Sequence, residues 1–478
     1  MPVRRRVDVW RLAPWDDALV WYAKAIRELQ RKPVLNPISF EYQAAVHDRM
    51  RDSGSTGNLP PVSERDAFWR QCQHGTWFFL PWHRMYLAYF EQIVASTVER
   101  LGGPGGWALP YWNVSDLARP ETRTLPCAFR EERLPDGSPN PLRIDQRARG
   151  VNDGDEVVGR GDVSLDCLCE PDFQGRASGG GTGFGGPPGL SHVGNPVRFG
   201  RLETMPHGTV HPGVGGTFGH MSYPQTAALD PIFFLHHANI DRLWVVWRRR
   251  DARNVDPPDR AWLDQAFAFH DANGQPVRHA VSEWEDPATA PLPFEYDDLS
   301  DPMAGQCDEG LFTWATTRRT PVDLASTTGP LRIADGPVRI ELRRAPGDAA
   351  EVKYDGISRA FLDVEGITGH RVSGNYRVFL SYVGKPPSEQ TLVGVLPMFG
   401  LSPAADDDDR GHAHHQFGPH RMSLTYELDV TGAIRCDGVL AVEGLVVTFA
   451  RVARRDREHG RVDDDEPLWI ERIRLTLA

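Results

Sequence analysis

Imidazoles carry this sequence's capacity for chemistry. The stretch "CQHGTWFFLPWHRMYL", residues 72–87, sets His74 and His83 nine apart among aromatic residues, with Cys72 two positions before the first. In "PHGTVH", His207 and His211 are four apart, so on a helical turn both rings face one way, as a pair of metal ligands requires. His237 follows 26 residues later, on a stretch whose same helical face carries Asp241 and Trp244. With His47, these make two sets of three: His47, His74 and His83, then His207, His211 and His237. Neutral imidazole suits copper, zinc, iron and nickel, whereas sites poor in carboxylate disfavour magnesium and calcium. The two sets therefore point to copper or zinc.

Helices must position these rings. Between Trp15 and Arg31 apolar residues recur at helical spacing, and Phe40 to Met50 reads as a second helix, carrying His47. Pro81 suits a first helical position, and the apolar stripe after it runs to Gly102 and Gly103, which places His83 in a first turn. Pro231 can open another helix, whose closing arginines suit its negative end. Residues 114–202, with "ASGGGTGFGGPPG" at their centre, predict a long surface excursion with little regular structure. After about residue 320, short alternating runs such as "RAFLDVEG", "YRVFLSYVG" and "GLVVTFARV" predict a β-sandwich. The polar linker near 320–335 and the loop "HAHHQFGPH" read as solvated connections.

Taken together, "CQHGTWFFLPWHRMYLAYFE", "LPYWN", "LETMPHGTVH" and "DPIFFLHHANIDRLW" resemble, in order, the copper-site motifs of type 3 copper proteins: tyrosinases, catechol oxidases (polyphenol oxidases) and haemocyanins. The resemblance covers roughly residues 10–320. It implies an α + β chain, with a mainly helical catalytic domain (1–325) whose four-helix bundle holds a dinuclear copper site. A β-sandwich-like C-terminal domain (326–478) would follow, placed to shield that site with one inserted side chain. No residue of "GKPPSEQTLVGVLPMFG" or elsewhere stands out as that side chain.

By the same resemblance His47, His74 and His83 match the ligands of the first copper, and His207, His211 and His237 those of the second. His236 is a neighbour placed to touch substrate, Phe79 an aromatic between the ligands, and Asn239 and Asp241 residues that brace the last helix. Cys72 matches the cysteine that forms a thioether with the ligand two residues on, here His74. Glu203 matches a glutamate that, with an asparagine, holds a water able to take a phenol's proton. This chain has Gly208 where that asparagine would stand. The implied function is oxidation of o-diphenols to o-quinones by dioxygen at two copper ions, with weak or absent monophenol hydroxylation. A tyrosinase with full monophenolase activity, an o-aminophenol oxidase and a haemocyanin-like oxygen carrier are the alternatives.

The formal charge of −12 argues against nucleic acid or an anionic membrane surface as partner, since both would repel the chain. A small phenolic substrate is the expected partner, and an oligomer is left open. No apolar run is long enough to span a bilayer, and Asp8, Arg11, Asp16 and Asp17 interrupt any leader-like core, which gives the expectation of a cytoplasmic protein. The six scattered cysteines predict reduced thiols, with Cys167 and Cys169 a weak local signal for a metal or a disulfide.

Overall fold

Helix α1 (Asp17–Gln30) begins where the Asp16 carboxylate accepts the Ala18 N–H at 2.9 Å, and it buries Leu19, Tyr22, Ile26 and Leu29. Ser39 caps α2 (Phe40–His47) in the same way, accepting the Tyr42 N–H at 3.1 Å. α2 ends at His47, where the backbone turns extended at Asp48. Helix α3 (Phe79–Arg100) starts two residues earlier than Pro81 suggests. Proline's missing N–H is harmless there, because first-turn amides have no partner within a helix. Gly102, at φ 84°, closes α3 in the left-handed conformation that glycine adopts without strain. A wide helical turn, Glu203–Gly208, broken at Met205, leads into α4 (Thr209–Gly215), and α5 (Ile232–Arg250) ends on three arginines as expected. α3 packs against both α1 and α5.

The computed structural model describes residues 3–49, 59–175, 180–190, 197–217, 219–307, 321–333, 336–345, 351–353, 358–369, 372, 374–401, 423–436, 439–452 and 467–478. The loop "HAHHQFGPH" and most of the segment leading into residue 321 lie outside them.

The described residues of the 114–202 segment are poor in regular structure, as its composition predicts, yet they are not a surface excursion. Leu125, Phe129, Val163, Phe173 and Phe184 are buried in the helical core. Phe184 stacks on Trp247 of α5 with ring centroids 4.5 Å apart, and the Trp247 indole N–H donates to the Glu170 carbonyl at 2.7 Å. Glycine permits the close packing: a Cβ on Gly200 would lie 2.5 Å from the Gly186 amide nitrogen. Burying such a segment requires its polar backbone to find partners, and a large aromatic helix surface supplies the apolar cover. Cys169 is joined to Cys307 by a disulfide, which corrects the expectation of reduced thiols; Cys72, Cys127 and Cys167 lie outside any disulfide. Nothing in the local sequence could pair two cysteines 138 residues apart.

Among the described residues the C-terminal half builds a six-stranded and a four-stranded sheet, which carry the numbered strands, beside two small sheets. In chain order the strands are β1 (Val197–Arg198), β2 (Val322–Ser326), β3 (Val338–Glu341), β4 (Arg343–Arg344), β5 (Ala360–Ile367), β6 (Asn375–Tyr382), β7 (Leu392–Pro397), β8 (Leu424–Asp429), β9 (Leu445–Arg451) and β10 (Arg472–Leu477). One sheet has the order β1-β8-β5-β10-β2-β4 and the other β7-β6-β9-β3. Alternation delivers Leu362, Val364, Val378, Leu380, Val447 and Phe449 to a second core. Strand β1 belongs to the first half of the chain and pairs in parallel with β8, so the halves share a sheet. Buried charges join them as well: Arg198 donates to Asp363 at 3.0 Å, and Arg359 pairs with Glu170 at 3.1 Å and Asp429 at 2.7 Å. The fold is α + β throughout.

Candidate metal centre

Four of the six expected ligands, His47, His83, His207 and His211, have their rings oriented by a backbone carbonyl. His47 ends α2 and donates its Nδ1–H to the Pro224 carbonyl at 2.8 Å. His83, in the second turn of α3, donates to the Phe79 carbonyl one turn back, also at 2.8 Å. His74 lies in the loop before α3. Together with Cys72, these histidines bring ligand atoms within 4.8 Å of one another. The Cys72 Sγ lies 3.5 Å from Nδ1 of His74 and 4.0 Å from Nε2 of His83, and burial pushes this thiol well above its ordinary pKa.

The second group forms where the Glu203–Gly208 turn, α4 and α5 meet. Nδ1 of His207 donates to the Glu203 carbonyl at 3.0 Å and Nδ1 of His211 to the Met221 carbonyl at 2.9 Å. A carbonyl can only accept, so these bonds fix the proton on Nδ1 of each neutral ring and leave Nε2 a bare lone pair. Burial, reinforced by the neighbouring histidines, holds both rings well below the ordinary histidine pKa. Yet Nε2 of His211 faces Nε2 of His207 at 3.1 Å and Nε2 of His237 at 3.3 Å. The His207 and His211 lone pairs converge in a buried space with their protons committed to carbonyls, so the donor set fits a metal that takes imidazole nitrogen. The two groups face each other, with the His83 and His237 rings stacked at 4.5 Å and 12°.

Phe79 fills the space between the groups, its ring centroid 4.6 Å from His83 and 4.7 Å from His207. His236 lies within the second group: its ring is parallel to His207 within 15°, and burial lowers its pKa to about 3. Asp241 braces α5 against α3 by accepting from Arg84 Nε at 2.6 Å, and it accepts from the Tyr296 hydroxyl at 2.6 Å. Asn239 accepts from Arg242 at 3.2 Å, one turn along the same helix. Glu203 is buried, and both of its carboxylate oxygens accept the Gly75 N–H, at 3.1 and 2.9 Å. Burial raises its pKa well above the usual carboxylate range. Gly208 lies against the other half of the chain, where a Cβ would meet Pro397 Cγ at 2.7 Å.

Two participants escape sequence reading. Arg84, buried in the apolar stripe of α3, could have been suspected, since a buried arginine demands a buried acid. Phe399 could not. It follows β7, is 2% exposed, and packs with the helical core rather than the β core. Its ring stacks on His211 and also approaches His207 at 5.6 Å and His74 at 5.9 Å.

Comparison with known proteins gives these residues a context. Residues 37–162 and 171–250 match the common central domain of tyrosinase, and residues 320–475 match a family described only as a domain of unknown function. The chain is 33% identical to the tyrosinase HcTyr1 of Hahella sp. (strain CCB-MM4) over 439 residues, covering 86% of this chain and 89% of that one. It is 30% identical to the latent form of a chloroplastic polyphenol oxidase of Prunus armeniaca over 320 residues, 64% of this chain but only 49% of that one. Among solved structures, latent apple tyrosinase shares the fold across 100% of this chain and 98% of its own, with a TM-score of 0.62 at 20% identity. The expectation of a cytoplasmic location does not survive: the matched plant proteins are named as chloroplastic. What the described residues show is that no helix among them is long and apolar enough to cross a membrane.

Proposed function

The chain belongs to the tyrosinase family, whose members are dinuclear copper enzymes that use dioxygen, and from that premise we propose a diphenol oxidase closed by its own C-terminal half. Phenol oxidation at copper is the family's chemistry. In this chain His47, His74 and His83 would hold one ion, and His207, His211 and His237 the other. When bound, the pair would supply passage of electrons to dioxygen: two o-diphenols, each losing two electrons and two protons to become an o-quinone, reduce one dioxygen to two waters. Phe79 and the surrounding rings exclude bulk water. Asp241, tied to Arg84, keeps α5 and its two histidines in register with α3.

The lean toward diphenols rests on position 208. Hydroxylating a monophenol calls for an acceptor for the phenol's proton near the metal. Gly208 offers no side chain, and both oxygens of Glu203 are engaged by the Gly75 amide. An o-diphenol needs only to lose two electrons and two protons. The test is turnover of catechol, o-aminophenol and tyramine by the intact copper-loaded chain. Catechol should be fastest and tyramine slow, with a lag. Tyramine hydroxylated without lag as fast as dopamine is oxidised would make this a full tyrosinase, and a preference for o-aminophenol would make it an aminophenol oxidase.

Closure rests on the stacking of Phe399 over His211, in the space a phenolic ring would need. The Prunus armeniaca protein is named as a latent form, and the same reading is proposed here.

A further inference from the structure

Gly208 has ordinary helical torsions, φ −63° and ψ −31°, which any residue adopts. Glycine inside a helix costs about 1 kcal/mol relative to alanine, so the backbone gives no reason for it. Space does. A Cβ at 208 would lie 2.7 Å from Cγ and 3.3 Å from Cβ of Pro397, and 3.1 Å from the Glu203 carbonyl oxygen. The proline ring is rigid, so it cannot swing away without moving the end of β7.

The neighbouring contacts fall on the same helical turn. The Thr209 carbonyl accepts from Asn375 Nδ2, at the start of β6, at 3.1 Å. Two residues beyond Pro397, Phe399 stacks on His211. From 208 to 211 one turn therefore carries the proline, the asparagine and the phenylalanine of the β half, beside the proposed copper ligands. We infer that Gly208 is the seat on which the β half closes, a positioning residue whose missing side chain lets Pro397 settle and delivers Phe399 to His211. This rests on the closed-oxidase reading above. It has a chemical corollary: a side chain at 208 and a fully closed pocket exclude each other in this chain, so any acceptor introduced there also opens the site.

The test uses the full copper-loaded chain with Gly208→Ala, Phe399→Ala and Gly208→Ala/Pro397→Ala. Amide hydrogen exchange across residues 392–401, copper content and catechol turnover are measured for each. Gly208→Ala should keep two coppers, speed exchange across 392–401 about tenfold or more, and raise turnover. Adding Pro397→Ala removes the atom at 2.7 Å and should return both toward wild type. Exchange at 392–401 unchanged by Gly208→Ala overturns the seat. If Gly208→Ala does not fold, the double variant decides: its folding supports the seat and its failure overturns it. Faster exchange with turnover unchanged in both Gly208→Ala and Phe399→Ala upholds the seat and overturns the closed-oxidase reading instead.

Discussion

The ring of Phe399 stacks on the imidazole of His211 with centroids 3.9 Å apart and planes 20° apart. A phenylalanine from one half of the chain thus lies against a proposed copper ligand in the other. Phe399→Ala should raise catechol turnover by the intact chain by about two- to tenfold, since an aromatic pair of this kind is worth roughly 0.5–1.5 kcal/mol. It should also lower folding stability by about 3–5 kcal/mol, the usual cost of deleting a buried phenylalanine. Turnover and urea unfolding check both; unchanged turnover would leave the β half a structural role only.

Cys72 and His74 should be found covalently joined in the copper-loaded enzyme. Forming the thioether removes the thiol hydrogen and one ring hydrogen as two protons and two electrons, which dioxygen would accept to become hydrogen peroxide. Intact-mass measurement should find the chain two hydrogens lighter than its sequence, in a form that thiol reductants do not reverse. A Cys72 that alkylates fully after denaturation would rule the bond out.

The seam between the halves should be acid-sensitive through Asp429. Burial alone would raise its pKa, but the Arg359 guanidinium, helped by Arg201, lowers it from 3.8 to about 2. A depressed carboxylate contributes stability that is whole above its unfolded pKa and lost as pH falls through its folded one. The contribution should therefore be intact above about pH 4 and fade toward pH 2. Asp429→Asn should be about 2 kcal/mol less stable at pH 7, by the conversion of 1.36 kcal/mol per pKa unit. The gap should narrow as pH drops below about 4, by urea unfolding at each pH. A gap that is constant with pH would show that the carboxylate's charge is not what Arg359 requires.

Much of the site is legible in the sequence because metal ligation is local chemistry on regular elements. The four-residue spacing of His207 and His211 alone puts two nitrogens at one point, and the apolar stripe of α3 fixes where His83 faces. Strands β5, β6, β8, β9 and β10 follow from alternation in the same way. What sequence reading misses is set by contacts distant along the chain. Phe399 looks like any apolar residue at the end of a strand, and its role exists only because β7 crosses the Gly208 turn. The Cys169–Cys307 disulfide likewise depends on how the 114–202 segment folds back. That segment reads as surface because glycine and proline signal turns but say nothing about burial, which Trp247 and its aromatic neighbours decide.

The central claim, that two histidine triads hold the copper pair, is tested most directly by copper content measured with catechol turnover in His74→Ala and His211→Ala. Wild type should carry two coppers per chain. Each variant should lose copper from its own triad, retain about one ion and lose diphenol oxidation by several orders of magnitude, because neither ion alone can pass both electrons to dioxygen. Two coppers and full catechol turnover in either variant would contradict the account.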